Sequence, residues 1–171
     1  MDEITATVGE RLDYLQRFLD GYAAFARLPK PRREPTAWAD VLRSVQQVAE
    51  FRIAEPVPGH AANIDRAQVE QLVINLVKNA LEAKSAADKI LVSIERRAGG
   101  SLLVVSDGGE GMSEQAMTRA VLPFWSTKAG GSGLGLALCN DIVEGHGGSL
   151  RISSRVGSGT VVSCWFPDAA A

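Results

Sequence analysis

The feature that most constrains the fold of this 171-residue chain is a repeated hairpin pattern of apolar, strand-like segments that meet at glycine turns. The first hairpin turns at Gly99 and Gly100, and the second turns at a Gly-Ser-Gly sequence, which suits antiparallel strands. The four segments are 89–97, 101–107, 150–156 and 159–166. Because helical patterns lie before and between these hairpins, we expect an α/β sandwich in which helices cover one face of a sheet.

Three segments carry the apolar periodicity of helices. They are 37–51, 65–84 and 133–145. The apolar face of the first would hold Val41, Val45, Val48 and Ala49. The second is the clearest, and Asp65 is a suitable N-cap for it. We expect loop and short strands over 52–64 and irregular structure over 108–132.

A fourth helical pattern covers residues 2–28, where apolar residues recur at spacings of three and four. The pattern suits a coiled coil or a helical hairpin, and an amphipathic helix packed on its own domain would also produce it. Three prolines in residues 28–35 then end the helix. We therefore predict an N-terminal helix with its linker over 1–31 and a second domain over 32–171.

Charge and composition argue against several classes of protein. The net charge of -2 provides no basic face for nucleic acid, and no apolar run approaches the ~20 residues that cross a bilayer. No signal-peptide pattern is present at the N-terminus. Cys139 and Cys164 lie in apolar contexts, so we expect buried free thiols rather than a disulfide or a metal site. These features predict a cytoplasmic domain, whose parent protein can still be membrane-anchored.

Two amides on the clearest helical segment are candidates for metal binding. Asn75 and Asn79 lie one helical turn apart at the edge of the apolar stripe, so their side chains share a face. Asn is a poor helix former, which makes this pair costly. One interpretation is a pair of oxygen ligands for hydrated Mg²⁺, and the other is a pair of solvated or capping amides.

An acidic residue follows the second strand-like segment. Asp107 precedes a Gly-Gly-Glu-Gly sequence, so one interpretation is a turn former. The other is a carboxylate that accepts a hydrogen bond from an exocyclic amine such as that of adenine. In that case Gly109 and Gly111 would let the backbone approach a flat ligand closely.

The segment before the last helical pattern combines aromatic, basic and glycine residues. Phe124 and Trp125 suggest a hinge or lid, and Lys128 is either a phosphate ligand or a solvated loop lysine. The glycines that follow are Gly130, Gly131, Gly133 and Gly135. Because unpaired N–H groups at a helix N-terminus bind anions, this stretch suits a phosphate group. It is not a Walker loop, since no Gly-Lys-Ser/Thr follows, and it is not a dinucleotide-binding fingerprint, since no strand directly precedes it.

In their order along the chain, these segments resemble the four boxes of the sensor histidine kinase catalytic domain, within the gyrase–chaperone–histidine kinase–MutL ATPase superfamily. The N, G1, F and G2 boxes correspond to residues 75–80, 107–111, 123–128 and 130–138. The resemblance covers about 34–167. Residues 4–31 resemble, less specifically, the second dimerisation helix of nitrogen-regulation-type kinases.

The resemblance implies the Bergerat ATP-binding fold, an α+β two-layer sandwich with a mixed, largely antiparallel sheet, about three helices and here an N-terminal helix. It implies that the domain binds ATP and Mg²⁺, with Asn79 as the metal ligand and Asn75 supporting it in a catalytic role. It also implies that Asp107 accepts a hydrogen bond from the adenine amino group. The further nucleotide-binding residues that it implies are Gly109, Gly111, Met112, Phe124, Lys128, Gly131, Gly133, Leu134, Gly135, Leu136 and Thr160.

Three departures from the family pattern stand out. Gly108 lies where the G1 box usually has Asn. Glu82 lies where many of these kinases have a basic residue, which leaves more of the phosphate charge to Lys128. The family's phosphoacceptor is a His with an acidic residue directly after it, and neither His60 nor His146 has that neighbour. We therefore expect both histidines to be structural or on the surface, and the chain to be a fragment that starts inside the dimerisation hairpin.

The resemblance implies a protein-histidine kinase that transfers the ATP γ-phosphoryl group to a His on a dimerisation helix, and then to an Asp of a response regulator receiver domain, in a homodimeric parent. A gyrase- or chaperone-type ATPase is disfavoured, because Asn75 stands where those proteins have a glutamate as general base. Two alternatives remain. One is a Ser/Thr kinase of the anti-sigma-factor type, which the predicted N-terminal helix argues against, and the other is a degenerate module that binds nucleotide or a partner protein without phosphotransfer.

Overall fold

The computed structural model describes residues 28–128 and 131–168. The helix predicted over 2–28 therefore lies outside the described residues, apart from Leu28. The helices of the described part are α1 (Trp38–Gln46), α2 (Arg66–Glu82), α3 (Glu114–Arg119) and α4 (Gly135–Gly145). The strands are β1 (Glu34–Ala37), β2 (Arg52–Ile53), β3 (Ala61–Ile64), β4 (Leu91–Arg97), β5 (Gly100–Ser106), β6 (Ser149–Arg155) and β7 (Gly159–Pro167). In the described ranges, no helix is long and apolar enough to cross a membrane.

The main sheet has five strands in the order β2-β4-β5-β7-β6. The two predicted hairpins, β4–β5 and β6–β7, are antiparallel and lie side by side because β5 pairs with β7. The short strand β2 pairs with β4 in parallel, and β1 and β3 form a separate antiparallel pair. The sheet is therefore mixed and largely antiparallel, as expected.

The core lies between the five-stranded sheet and the helices α1, α2 and α4. Every second residue of β5 is buried, including Leu103 and Val105, whereas the residues between them are only half-buried. The apolar faces of the three helices join this cluster, and each buried Leu, Ile or Val contributes about 1.5–3 kcal/mol relative to an exposed one. The two-layer α/β arrangement is confirmed.

The start of α2 is fixed by several hydrogen bonds, and the predicted N-cap is confirmed. Asp65 Oδ1 accepts from the Gln68 N–H over 3.1 Å, and Asp65 Oδ2 accepts from the Arg32 N–H over 2.8 Å. The Asp65 N–H donates to His146 Nε2 over 3.0 Å, so the other ring nitrogen, Nδ1, carries the proton and donates to the Ile142 carbonyl over 2.7 Å. The buried His146 is thus a structural residue that joins the start of α2 to the end of α4.

The linker also packs on these helix ends. The Gln68 side-chain amide donates to the Pro29 carbonyl over 2.9 Å, and the Arg33 guanidinium donates to the Gly145 carbonyl over 2.7 Å. Residues 28–33 are therefore attached to both α2 and α4 at one end of the helix pair.

The remaining histidine and the two cysteines also match their predicted roles. His60 is half-buried and hydrogen-bonds Ser101 Oγ over 2.7 Å. Cys139 and Cys164 are free and buried, and burial raises the pKa of the Cys164 thiol to about 12. Neither thiol is therefore ionised at neutral pH.

Two sequence-based predictions about helices are wrong. The first predicted helix ends at Gln46, and Val48 is 72% exposed instead of buried, because the chain must turn to place β2 beside β4. The predicted irregular segment 108–132 contains α3, a six-residue helix capped by Ser113, whose Oγ accepts from the Ala116 N–H over 3.2 Å. The described ranges thus contain four helices, of which α1, α2 and α4 are the three expected to cover the sheet.

Candidate functional site

The helices α2 and α4 run antiparallel and bring the two predicted ligand-binding segments together. A Cβ atom on Gly135, the first residue of α4, would lie 3.5 Å from Asn79 Oδ1. One turn further along α4, Cys139 Sγ lies 3.8 Å from the Leu72 carbonyl oxygen. The side chain of Asn79 therefore faces the N-terminus of α4.

The two predicted amides have different surroundings. Asn79 Nδ2 is buried and has no hydrogen-bond partner among the described residues. Asn75 Oδ1 accepts from Gln71 Nε2 over 3.3 Å, and its side chain also hydrogen-bonds the Cys139 thiol. Burial raises the pKa of that thiol well above its usual range, and the hydrogen bond opposes the rise. A buried unpaired amide is costly, so Asn79 is the amide that a ligand would satisfy.

The N-terminus of α4 is suited to an anion. Its N-cap is Leu134, which is buried and has no polar atom in its side chain to accept from the first-turn N–H groups. The Leu134 N–H itself donates to Ser132 Oγ over 3.4 Å. The N–H groups of Gly135 and Leu136 belong to the first turn, where the helix dipole favours negative charge.

The carboxylate of Asp107 holds the loop that follows β5. Its Oδ1 accepts from the Gly109 N–H over 2.8 Å and from the Thr160 N–H over 3.2 Å. The Asp107 N–H in turn donates to the Thr160 carbonyl over 2.9 Å. Because both backbone donors reach Oδ1, the second oxygen, Oδ2, is not required to hold the loop.

The close approach of two backbones explains Gly111. Its φ of +69° lies in the left-handed region, and a Cβ atom there would overlap the Arg155 carbonyl of β6. Met112, the next residue, is fixed by its N–H, which donates to Ser154 Oγ over 2.8 Å. The loop after β5 is therefore attached to the β6–β7 hairpin.

Sequence reasoning missed Ser154, which organises this part of the site. Its hydroxyl donates to the Gly159 carbonyl over 2.8 Å and lies 2.9 Å from Thr160 Oγ1. Since the single hydroxyl proton of Ser154 goes to Gly159, Thr160 must donate to Ser154, which leaves the lone pairs of Thr160 as acceptors. The strand register could have indicated Ser154, because it lies opposite Thr160 on the adjacent strand.

The connection between α3 and α4 covers residues 120–134, of which 129 and 130, including the predicted Gly130, lie outside the described residues. Phe124 is 53% exposed and has a positive φ of 64°, which is unusual for a residue with a side chain. Gly133, with a φ of +66°, packs so closely on it that a Cβ atom would lie 2.5 Å from the Phe124 carbonyl carbon. At Gly131, a Cβ atom would overlap Ser126 Oγ. These two glycines therefore allow the two halves of the connection to pack together.

The predicted phosphate ligand Lys128 lies against α2. Its Nζ donates to the Asn79 carbonyl over 3.1 Å and to Glu82 Oε2 over 3.2 Å. The connection thus places a cation beside the residue whose side chain faces α4.

Gly108, which lies where the G1 box usually has Asn, packs beside Ser85 and Lys89. The Gly108 N–H donates to Ser85 Oγ over 3.1 Å. A Cβ atom at Gly108 would lie 3.3 Å from Lys89 Cδ, which belongs to a flexible side chain. The position therefore does not require glycine.

These residues fit a nucleotide with Mg²⁺. The chain supplies one unsatisfied amide at Asn79, a helix N-terminus at Gly135 and a cation at Lys128. A second group, on the loop after β5 and on β7, supplies acceptor atoms on Asp107 and Thr160. Mg²⁺ is commonly held by one or two protein oxygens together with phosphate groups and water, which suits this sparse donor set.

Comparison with known proteins identifies the family. A family model described as "Histidine kinase-, DNA gyrase B-, and HSP90-like ATPase" matches residues 64–170. The nitrogen regulation protein NtrY of Azorhizobium caulinodans is 30% identical over 167 residues, which cover 89% of this chain and 21% of that protein. The C4-dicarboxylate transport sensor protein DctB of Rhizobium meliloti is 36% identical over 158 residues, which cover 89% of this chain and 25% of that protein. The chain therefore spans only about a fifth to a quarter of these relatives.

A solved structure supports the same relationship. The catalytic domain of the histidine kinase ThkA superimposes with a TM-score of 0.67 and is 26% identical. The match covers 80% of this chain and 96% of that domain. The fold is therefore that of a histidine kinase catalytic domain.

Proposed function

Since the chain belongs to the histidine kinase-, DNA gyrase B- and HSP90-like ATPase family, we propose that it is the ATP-binding catalytic domain of a two-component sensor histidine kinase. The observation that carries this proposal is the side chain of Asn79, which has a buried unpaired nitrogen and faces the N-terminus of α4. The phosphate oxygens of a bound nucleotide would accept from this nitrogen and from the N–H groups of α4, and Asn79 Oδ1 would remain available to Mg²⁺.

The adenine end of the proposed site comprises Asp107 and Thr160. Asp107 Oδ2 accepts from the exocyclic amine of adenine while Oδ1 keeps the two loop N–H groups. The Thr160 hydroxyl, oriented by its hydrogen bond to Ser154, offers a second acceptor. Gly109, Gly111 and Met112 shape the loop that approaches the base.

The phosphate end of the proposed site comprises Asn79, Lys128 and the first turn of α4. Asn79 Oδ1 would be the protein ligand of Mg²⁺, and the N–H groups of Gly135 and Leu136 would donate to phosphate oxygens. When bound, Mg²⁺ neutralises phosphate charge and favours displacement at the γ-phosphorus. Lys128 adds a positive charge from the α3–α4 connection.

The side chain of Asn75 bears on the reaction. An amide cannot take a proton from water as a general base, so this site disfavours hydrolysis. Asn75 instead supports Asn79 from the preceding turn of α2. Phosphoryl transfer depends on positioning and electrostatics, and the acceptor is a histidine supplied by a dimerisation helix.

The proposed partners follow from the same assignment. The His-bearing dimerisation helix of a homodimeric parent receives the γ-phosphoryl group, and the receiver domain of a response regulator takes it next. The domain works in the cytoplasm. A degenerate module without phosphotransfer is not favoured by the site, because every nucleotide-binding box contributes a residue to it.

The first experiment is a calorimetric titration of the chain with a non-hydrolysable ATP analogue, with and without Mg²⁺. We expect binding that strengthens with Mg²⁺, and Asn79→Ala should weaken it by about 1–3 kcal/mol because a buried polar partner is lost. The matched control is Asn140→Ala on α4, since the Asn140 side chain donates to Glu144 of the same helix in an exposed hydrogen bond. Absence of Mg²⁺-dependent binding would contradict the proposal.

Phosphotransfer requires a second measurement. A chain that binds the analogue should phosphorylate a separately supplied dimerisation domain of its parent kinase at histidine. A catalytically silent chain with normal Mg²⁺-dependent binding would support the degenerate module.

A further inference from the structure

An ion pair connects α2 to the α3–α4 connection at the phosphate end. Lys128 Nζ lies 3.2 Å from Glu82 Oε2, although the two residues are 46 positions apart in the chain. Both side chains are about 40% exposed, so the pair is only partly shielded from water. The same ammonium group donates to the Asn79 carbonyl, which gives Lys128 two anchors on the last turns of α2.

The two anchors fix the ammonium beside the residue that faces α4. Asn79 offers its carbonyl oxygen to Lys128 and its side chain to the N-terminus of α4. A lysine ammonium has three N–H donors, and these contacts use two of them. The third donor remains for an oxygen of a ligand bound beside Asn79 and the first turn of α4.

The charges around Glu82 leave this turn positive. Glu82 Oε1 also lies 4.0 Å from Lys78 Nζ, so one carboxylate lies between two ammonium groups. Since one carboxylate cannot neutralise both, an anion still gains from approaching Lys128. Glu82 thus orients the cation without cancelling the positive field.

We propose that Glu82 is a positioning residue, which holds Lys128 at the phosphate end before the nucleotide arrives. Glu82 on α2 binds the ammonium group of Lys128, which comes from the α3–α4 connection, and so holds it beside Asn79, the proposed Mg²⁺ ligand. This assignment rests on the proposed function. It predicts that Glu82 influences nucleotide binding only through Lys128.

A double-mutant cycle tests this dependence. The Mg²⁺-bound analogue is titrated into the parent chain, Glu82→Gln, Lys128→Ala and the double variant. We expect Kd to rise about two- to fivefold in Glu82→Gln, as for a half-exposed ion pair, and about tenfold in Lys128→Ala. The double variant should bind like Lys128→Ala alone, because Glu82 has no role once the ammonium is gone.

Glu70→Gln is the matched control, because Glu70 forms an ion pair with Arg66 at the opposite end of the same helix. It should leave Kd unchanged. If Glu82→Gln bound the analogue as tightly as the parent or tighter, the positioning role would be wrong. A double variant whose loss is the product of the two single losses would also overturn it.

A nucleotide-free readout separates this proposal from the proposed function. Hydrogen exchange of the peptide 122–128 should accelerate in Glu82→Gln and stay unchanged in Glu70→Gln, because only the first substitution releases Lys128. If the parent failed to bind the analogue, the proposed function would fall, and the exchange rates would still decide whether Glu82 holds Lys128. Equal exchange rates in all three chains would show that Glu82 does not hold Lys128.

Discussion

Asp107 and Thr160 are joined by two hydrogen bonds, with the Asp107 N–H donating to the Thr160 carbonyl and the Thr160 N–H donating to Asp107 Oδ1. This reciprocal pair fixes the carboxylate with one oxygen used and one available. The loop-holding role and the proposed adenine-binding role of Asp107 are therefore carried by different atoms.

Asp107→Asn should separate these two roles. An amide oxygen can keep accepting from Gly109 and Thr160, so the melting temperature should stay near that of the parent. The amide nitrogen would then face the adenine amine, donor against donor, and nucleotide binding should weaken by about 1–3 kcal/mol. Calorimetry and thermal unfolding of the same sample check both parts. Unchanged affinity would remove Asp107 from the adenine site.

Two neighbouring glycines should respond in opposite ways to alanine. Gly111→Ala should cost more than 1 kcal/mol of unfolding free energy, because its positive φ and the Arg155 carbonyl leave no room for a Cβ atom. Gly108→Ala should be neutral or stabilising by up to about 1 kcal/mol, since only the Lys89 side chain must move. Urea unfolding of both variants measures these changes, and equal losses of unfolding free energy would contradict this account.

His146 should make stability depend on pH. Burial lowers the pKa of the ring in the folded state, with Arg33 also lowering it, whereas the Ile142 carbonyl and Asp65 oppose the shift. As pH falls below about 6.5, the pKa of histidine in the unfolded chain, the unfolded chain binds a proton at His146 that the folded chain does not yet bind. Stability should therefore be retained above that pH and decline below it, by up to about 1.4 kcal/mol per pH unit. Urea midpoints between pH 7.5 and 5.5 should show a shallower decline in His146→Gln, and an identical slope would exclude His146 as the cause.

Ser154→Ala should weaken both the fold and the adenine end. The substitution leaves the Met112 N–H and the Gly159 carbonyl without their partner, at a cost of about 1–3 kcal/mol. It also frees the Thr160 hydroxyl, so nucleotide affinity should fall too. Ser153→Ala, at the adjacent exposed position of β6, is the control for thermal unfolding and calorimetry. A Ser154 variant that matched this control would contradict the network.

Much of the fold could be predicted from local sequence. The hairpins follow from β-branched segments with glycine turns, and α2 follows from its apolar stripe and its Asp65 cap. The end of α1 could not be placed, because local periodicity continued to Val48 whereas the pairing of β2 with β4 set the boundary. The short helix α3 has too few residues for a period, and only the Ser113 cap could have indicated it.

The candidate site was predicted in its residues but not in its contacts. The sequence motifs identified Asn79, Asp107 and Gly135, which the fold brings into two groups. The ion pair of Glu82 with Lys128 links residues 46 positions apart, and no local pattern encodes such a pair. Ser154 was missed because a lone serine in a strand carries no signal until the strand register is known.

The antiparallel pair of α2 and α4 has a mechanical consequence. At one end of the pair, Arg32 and Arg33 of the linker hydrogen-bond Asp65 and Gly145. Asn79 lies near the other end. From Asp65 to Asn79 the helix is a stiff lever about 21 Å long. A turn of about 10° at the linker therefore swings the far end by about 4 Å, more than the length of a hydrogen bond. The angle at the linker would therefore set where the proposed phosphate site lies.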